Sequence, residues 1–144
     1  MPRLTLKQAN TIIEQALVKA REMKIKALAV VVLDDSGNVV AAQREDKASM
    51  FRFDIALGKA WGAVAMSCSS RALAKRAKDN TNFFLSLAST AKGKFLPQTG
   101  AALIKDAQGH ILGAAGASGA TGEEDETCCV YGIEKAGLTA DVSA

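Results

Sequence analysis

Ala27-Leu28-Ala29-Val30-Val31-Val32-Leu33-Asp34-Asp35-Ser36-Gly37-Asn38-Val39-Val40-Ala41-Ala42-Gln43-Arg44 is the stretch that decides the fold. Two apolar, β-branched runs, Ala27–Leu33 and Val39–Arg44, flank five residues of turn chemistry, and that pattern predicts a β-hairpin. A hairpin demands antiparallel pairing. The same arrangement recurs near the other end of the chain. Ala101–Lys105 and Ile111–Ala117 read as strands joined by Asp106-Ala107-Gln108-Gly109-His110.

Helical signals surround the two hairpins. Thr5 and Gln8 form the Thr-x-x-Gln pattern of a capping box. Leu6, Ala9, Ile13, Ala16, Leu17 and Ala20 then recur at three- and four-residue spacing, predicting a helix to about Met23. Asp54–Met66 predicts an alanine- and glycine-rich helix carrying Lys59 and Trp61. A basic helix restarts at Ser69-Ser70-Arg71 and runs to about Asp79, with another turn or two at Asn82–Ser89. Lys92–Gln98 reads as a loop, Pro97 keeping its neighbour extended. Thr121 with Glu124 marks a second capping box, and Ala136-Gly137 ends the last helix. Helix, hairpin, helices, hairpin, helix is the order of an α+β domain, one antiparallel sheet covered by helices.

Between the second hairpin and the last helix, Gly113, Gly116, Gly119 and Gly122 fall at every third residue. Glycine there lets another backbone, a subunit or a flat ligand approach closely. The segment is not Gly-x-Ser-x-Gly, since Ala120 stands where the last glycine belongs, and it lacks the Lys-Ser/Thr of a phosphate loop. The acids Glu123, Glu124, Asp125 and Glu126 would repel a pyrophosphate, which argues against a dinucleotide fingerprint.

Bulk composition narrows the class. The 144 residues fit a single domain spanning 1–144, and 49% hydrophobic with 23% charged residues is ordinary for a globular chain. The longest apolar run, Ala27–Leu33, is too short to span a bilayer, and no leader pattern follows Met1-Pro2-Arg3, so a cytoplasmic, non-membrane protein is expected. Three cysteines without C-x-x-C spacing read as helix-packing residues rather than disulfide or zinc ligands. The net charge of +3 is unevenly spread. Residues 1–80 hold fourteen Lys/Arg against eight Asp/Glu, and the remainder four against seven. The basic half suits an anionic ligand or the acidic half of a second copy. No basic-aromatic or helix-turn-helix pattern suggests nucleic acid.

The candidate site residues lie where a strand ends and a helix starts, the usual place for a cleft. Arg44, Arg52 and Lys59 would together hold a carboxylate, with Phe51 and Phe53 as apolar walls. The bland alternative is a pair of surface ion pairs, Arg44 with Asp46 and Arg52 with Asp54, worth under about 1 kcal/mol each. Lys59 stands among Gly58, Ala60 and Ala63 on a face that should be buried, and a buried lysine needs a partner or a shifted proton affinity. Asp46 or Glu124 would move a proton in a catalytic version, with Lys59 beside them. Glu124 and Asp125 are the acids that the glycine turn points toward the strand ends, Asp125 as a ligand-binding candidate. The bland alternative is that acids of a first helical turn serve the helix dipole. Ser118 lacks a neighbouring histidine to make it a nucleophile and is expected, with Thr99 and Gly100, to line the pocket. His110, the sole histidine, sits at a hairpin tip, where exposure is ordinary.

Taken in order and spacing, several of these pieces resemble the GlcG/HbpS family, which includes the C-terminal domain of PduO-type proteins. The carriers are Leu4-Thr5-Leu6, Val31-Val32-Leu33-Asp34-Asp35-Ser36-Gly37, Arg44-x-Asp46 and Ile55-Ala56-x-x-Lys59-Ala60. Gly113-x-x-Gly116-x-Ser118-Gly119-Ala120-Thr121 and Glu123-x-Asp125-Glu126 complete the set. The resemblance spans nearly the whole chain. It implies a profilin-like fold with a five-stranded antiparallel sheet, homo-oligomerisation, and haem or another anionic cofactor as ligand, with His110 the simplest axial ligand for haem. Many members stand among enzymes of small oxygenated-compound catabolism, and the alternative reading of this chain is a cofactor-independent lyase, isomerase or tautomerase of small oxygenated or aromatic acids. Glu45-Asp46-Lys47 stands where the family usually has Met-Asp-Gly, and Phe51-Arg52-Phe53 where a serine is common. Those departures fall in the expected pocket.

Overall fold

The computed structural model describes residues 2–143. The chain runs α1 (Leu6–Met23), β1 (Ala29–Asp34), β2 (Val39–Arg44), α2 (Phe51–Met66), α3 (Ser70–Asp79), α4 (Thr81–Thr90), β3 (Ala101–Lys105), β4 (Ile111–Ser118), α5 (Gly122–Lys135) and β5 (Thr139–Asp141). One sheet takes the order β2-β1-β4-β3-β5, every neighbouring pair antiparallel. The α+β, profilin-like arrangement is therefore as expected.

Period-two alternation sorts the sheet's side chains into two cores. Val30, Val32, Ile104, Ala115 and Ala117 face α1 and α5, where they meet Ile12, Ile13, Cys129 and Ile133. Val31, Leu33, Leu103 and Ala114 face α2 and meet Ala56, Ala60 and Ala63. A central strand buried on both faces must be apolar throughout, which is why β1 reads as an unbroken hydrophobic run. Burial of all the cysteines' apolar bodies but that of the half-buried Cys68 agrees with their packing role. A third, smaller cluster of Leu73, Phe84 and Phe95 holds α3 and α4 to the rest.

Gly116 explains how α2 lies so close to β4. A Cβ at that position would stand 2.3 Å from the Ala56 carbonyl oxygen, so the small-residue stripe admits a backbone. Both capping boxes form as the spacing predicts. Thr5 and Thr121 each accept from the third helical amide, while Gln8 and Glu124 reach back to the cap amide.

Two elements differ from the expectation. Helix α2 begins at Phe51, not Asp54, so Phe51-Arg52-Phe53 is its first turn rather than the preceding loop. Met50, its N-cap, has helical dihedrals and no side-chain cap, so the usual start signal is missing. Strand β5 went unread because three residues after a helix carry no usable period. It pairs with β3 and completes the five strands implied by the resemblance.

Candidate functional site

The earlier start of α2 places Arg52, Ile55 and Lys59 at i, i+3 and i+7, on one helical face. That face looks along the end of β4, where Ser118 gives way to Gly119-Ala120-Thr121 and then α5. Lys59 is 6% exposed. Its Nζ donates to the Ala117 carbonyl at 3.0 Å and to Asp125 Oδ2 at 3.2 Å. Gly100 makes room for it, because a Cβ there would sit 2.4 Å from Nζ at a φ of +141° that disfavours side chains anyway.

Asp125 is nearly as deep, and its second oxygen, Oδ1, accepts from the Ala120 amide at 3.1 Å. Burial pushes its carboxyl above the ordinary aspartate value, against the opposing pull of Lys59 and the Ala120 amide. Its neighbour Glu126 is bound from outside by Arg71, through two hydrogen bonds of 2.8 and 3.1 Å. The acids of this first turn thus divide. Glu124 serves the cap, while Asp125 and Glu126 tie α5 to α2 and α3.

Arg52 lies more than one turn of α2 from Lys59, toward the helix start. Its Nη1 lies 3.4 Å from the Ser118 hydroxyl, and among the described residues it has no carboxylate partner. Three open clefts meet at it. One of about 400 Å³ is lined by Arg52, Ile55, Lys59, Ala74, Lys78 and Thr99, together with Ser118 and Glu123. A second, of about 490 Å³, runs past Met23, Lys24, Lys26 and Glu124. The third, of about 470 Å³, adds Asp46 and Lys47. The positive excess of the first half of the chain is thereby concentrated at one end of the sheet.

Among the expected site residues, the structure brings Arg52, Lys59, Thr99, Gly100, Ser118 and Asp125 together, with Asp46 and Glu124 on the adjoining clefts. Others fall elsewhere. Arg44 donates to the Ala48 carbonyl at 2.6 Å, closing the loop after β2, and lines none of the three clefts. Neither Arg44–Asp46 nor Arg52–Asp54 forms an ion pair among the described residues. The aromatic walls are also displaced. Phe51 points outward at 63% exposure, and Phe53 packs on the Val31–Leu33 core, so Ile55, Ala74 and Ala120 supply the apolar surface instead.

His110 is exposed, its Nδ1 2.8 Å from Asp106 Oδ2. It precedes β4, whose other end holds Ser118, roughly 26 Å away at about 3.3 Å per strand residue. A haem iron in the Arg52 cleft would find no imidazole from the same chain. The buried thiols do not substitute, since burial pushes Cys128 to about 11 and raises Cys129 well above the ordinary thiol value. Among the described residues no cluster of three or more His, Cys, Asp or Glu could hold a metal ion, and no helix is long and apolar enough to cross a membrane.

Lys24, Lys26 and Lys78 were not singled out from the sequence, and Lys47 and Ile55 entered only within family motifs, not as site residues. Ile55 follows from the Arg52 and Lys59 spacing once the helix start is known. The lysines come from separate loops and from α3, and only the fold gathers them.

Comparison with known proteins places these features in context. A family model described as HbpS-like, haem-degrading protein matches residues 4–134. No curated protein sequence matches significantly. A crystal structure of a PduOC–haem complex superposes with a TM-score of 0.86 at 21% identity, covering 97% of this chain and 99% of the other. Klebsiella pneumoniae ORFY gives 0.85 at 24% identity, covering 95% and 93%. A double mutant of Streptomyces reticuli HbpS gives 0.79 at 26% identity, covering 93% and 87%.

Proposed function

Because this chain belongs to the HbpS-like family, we propose that it is a small-ligand-binding domain holding an anionic ligand in the clefts around Arg52. The observation that carries this is Arg52 itself, a half-buried guanidinium without a carboxylate partner among the described residues, where three clefts meet. Its fork matches a carboxylate in geometry and charge, with the Ser118 and Thr99 hydroxyls at hand. Lys24, Lys26 and Lys47 extend the positive surface.

Haem is one such anion, and the fit is partial. The cations suit its carboxylates, while the cleft offers iron no imidazole. A haem held here is therefore bound chiefly by its acidic edge. Self-association belongs to the same reading. Met50 and Phe51 stand 85% and 63% exposed beside Arg52, and a second copy covering them would wall the cleft.

A second reading, a cofactor-independent lyase or isomerase, draws on Asp125. This acid, its proton affinity raised by burial, contacts Lys59 at the cleft. Asp46 on the adjoining cleft is the other candidate to carry a proton, whereas the Glu124 carboxylate is occupied by the Thr121 amide at 3.1 Å.

The test is titration of the full chain with hemin, followed by its Soret band, and with small carboxylates by calorimetry. Saturable binding that Arg52→Ala abolishes and His110→Ala spares is expected. Binding that Arg52→Ala leaves intact, or none at all, overturns the reading. Solvent-deuterium exchange into keto and hydroxy acids decides the enzymatic version, which fails if no acid exchanges.

A further inference from the structure

Resting on the ligand-binding reading above, we propose that the preferred ligand is an organic dicarboxylate, one end on Arg52 and the other on Lys78. Three cations line the cleft of about 400 Å³: Arg52 and Lys59 from α2, and Lys78 from α3. Lys59 is already paired with Asp125 and also donates to the Ala117 carbonyl. Two cations remain, and they come from different helices.

Lys78 has no ion-pair partner among the described residues. It also lines the adjoining cleft of about 270 Å³ with Lys75, one helical turn away on the same face of α3. Arg71 lines that cleft too, but it is engaged by Glu126. The second positive pole is therefore Lys78 backed by Lys75. Among the described residues, Glu123 is the single carboxylate on either cleft.

Apolar surface accompanies the two poles. Ile55 lies one turn from Arg52 on α2, and Ala74 one turn from Lys78 on α3. An alkyl or aryl spacer between two carboxylates matches that distribution. A lone carboxylate on Arg52 leaves Lys78 in water and gains nothing from it. An added exposed ion pair, worth up to about 1 kcal/mol, corresponds to roughly a fivefold gain in affinity.

Calorimetry on the full chain tests this with succinate through suberate, monocarboxylates of matching length, and inorganic phosphate. Dicarboxylates should bind about fivefold tighter than their monocarboxylate counterparts, with an optimum chain length. Lys78→Gln, a substitution at an exposed position, should erase that advantage, bringing the dicarboxylates down to the affinity of their monocarboxylate counterparts. Arg52→Gln should weaken both series. Equal affinity for the two series, or phosphate matching the best dicarboxylate, overturns the inference while Arg52-dependent binding keeps the broader reading intact. Loss of Arg52-dependent binding for every acid removes both.

Discussion

Lys59 on α2 and Asp125 on α5 meet at 3.2 Å, sixty-six residues apart in the chain and both nearly inaccessible to water. The contact joins the helix on one face of the sheet to the helix on the other, around the end of β4. Removing one partner leaves the other's charge buried and unpaired, typically at a cost of about 3–5 kcal/mol. Lys59→Met should therefore lose stability on that scale in urea unfolding at pH 7. The pH dependence gives the mechanism. Burial sets the folded Asp125 carboxyl above its unfolded value, so its ionisation takes stability away as pH rises through that window. Without Lys59 the window widens, and the deficit of Lys59→Met should be small below pH 4 and grow toward neutrality. A pH-independent deficit would show that packing, and not charge, is what the lysine contributes.

Gly116→Ala should be among the most damaging single-methyl additions. The new Cβ would collide with the Ala56 carbonyl and stand 3.0 Å from the Ala60 Cβ, forcing α2 away from the sheet. A cost of about 1–3 kcal/mol is expected for such overpacking. Because α2 carries Arg52 and Lys59, ligand affinity should fall along with stability. Gly93→Ala is the comparison, since nothing lies within 4 Å of its added methyl and only a φ of +78° opposes it. Thermal unfolding of the two variants, with equal losses in both, would contradict the packing argument.

How far the sequence could be read follows from which interactions are local. Hairpins, capping boxes and helical faces are set by residues within a few positions of each other, and those features appear where their spacing puts them. The burial of Lys59 was also legible, from the small residues on either side of it. The glycine turn marked out Asp125 and Glu124 among four consecutive acids, but that Asp125 is the lysine's partner only the tertiary fold shows. The start of α2 was obscured by an N-cap methionine without a capping side chain, and that error displaced Phe51 and Phe53 into the pocket. The lysines around Arg52 arrive from the end of α1, the loop after β2 and α3. No sequence spacing announces such a gathering.

Phe51→Glu should change the association state and leave the fold alone. Phe51 and Met50 are exposed at the start of α2, and neither belongs to a core cluster. If a second copy covers them, a buried glutamate at that interface destabilises the assembly, and light scattering after gel filtration should show a smaller particle. Far-ultraviolet circular dichroism should be unchanged. An unaltered mass would remove this face from the interface.

Asp141→Asn tests what holds the edge strand β5, which pairs with β3 through only three residues. Lys105 Nζ lies 2.6 Å from Asp141 Oδ2, while Oδ1 accepts from the Ser143 hydroxyl at 2.6 Å and amide at 2.8 Å. The Lys105 bond first, then those from Ser143, draw the Asp141 carboxyl down to about 2. A folded value below the unfolded one means stability that is present above the unfolded value, near 3.8, and lost as pH falls toward about 2. Partial exposure of both side chains screens the pair, so Asp141→Asn should cost under about 1 kcal/mol at pH 7. Unfolding midpoints of the two proteins should converge between pH 4 and pH 2. Amide exchange should show the loss first at Leu103 and Lys105, whose strand edge β5 covers. A gap that persists at pH 2 would mean that asparagine fails at that edge for a reason other than its missing charge.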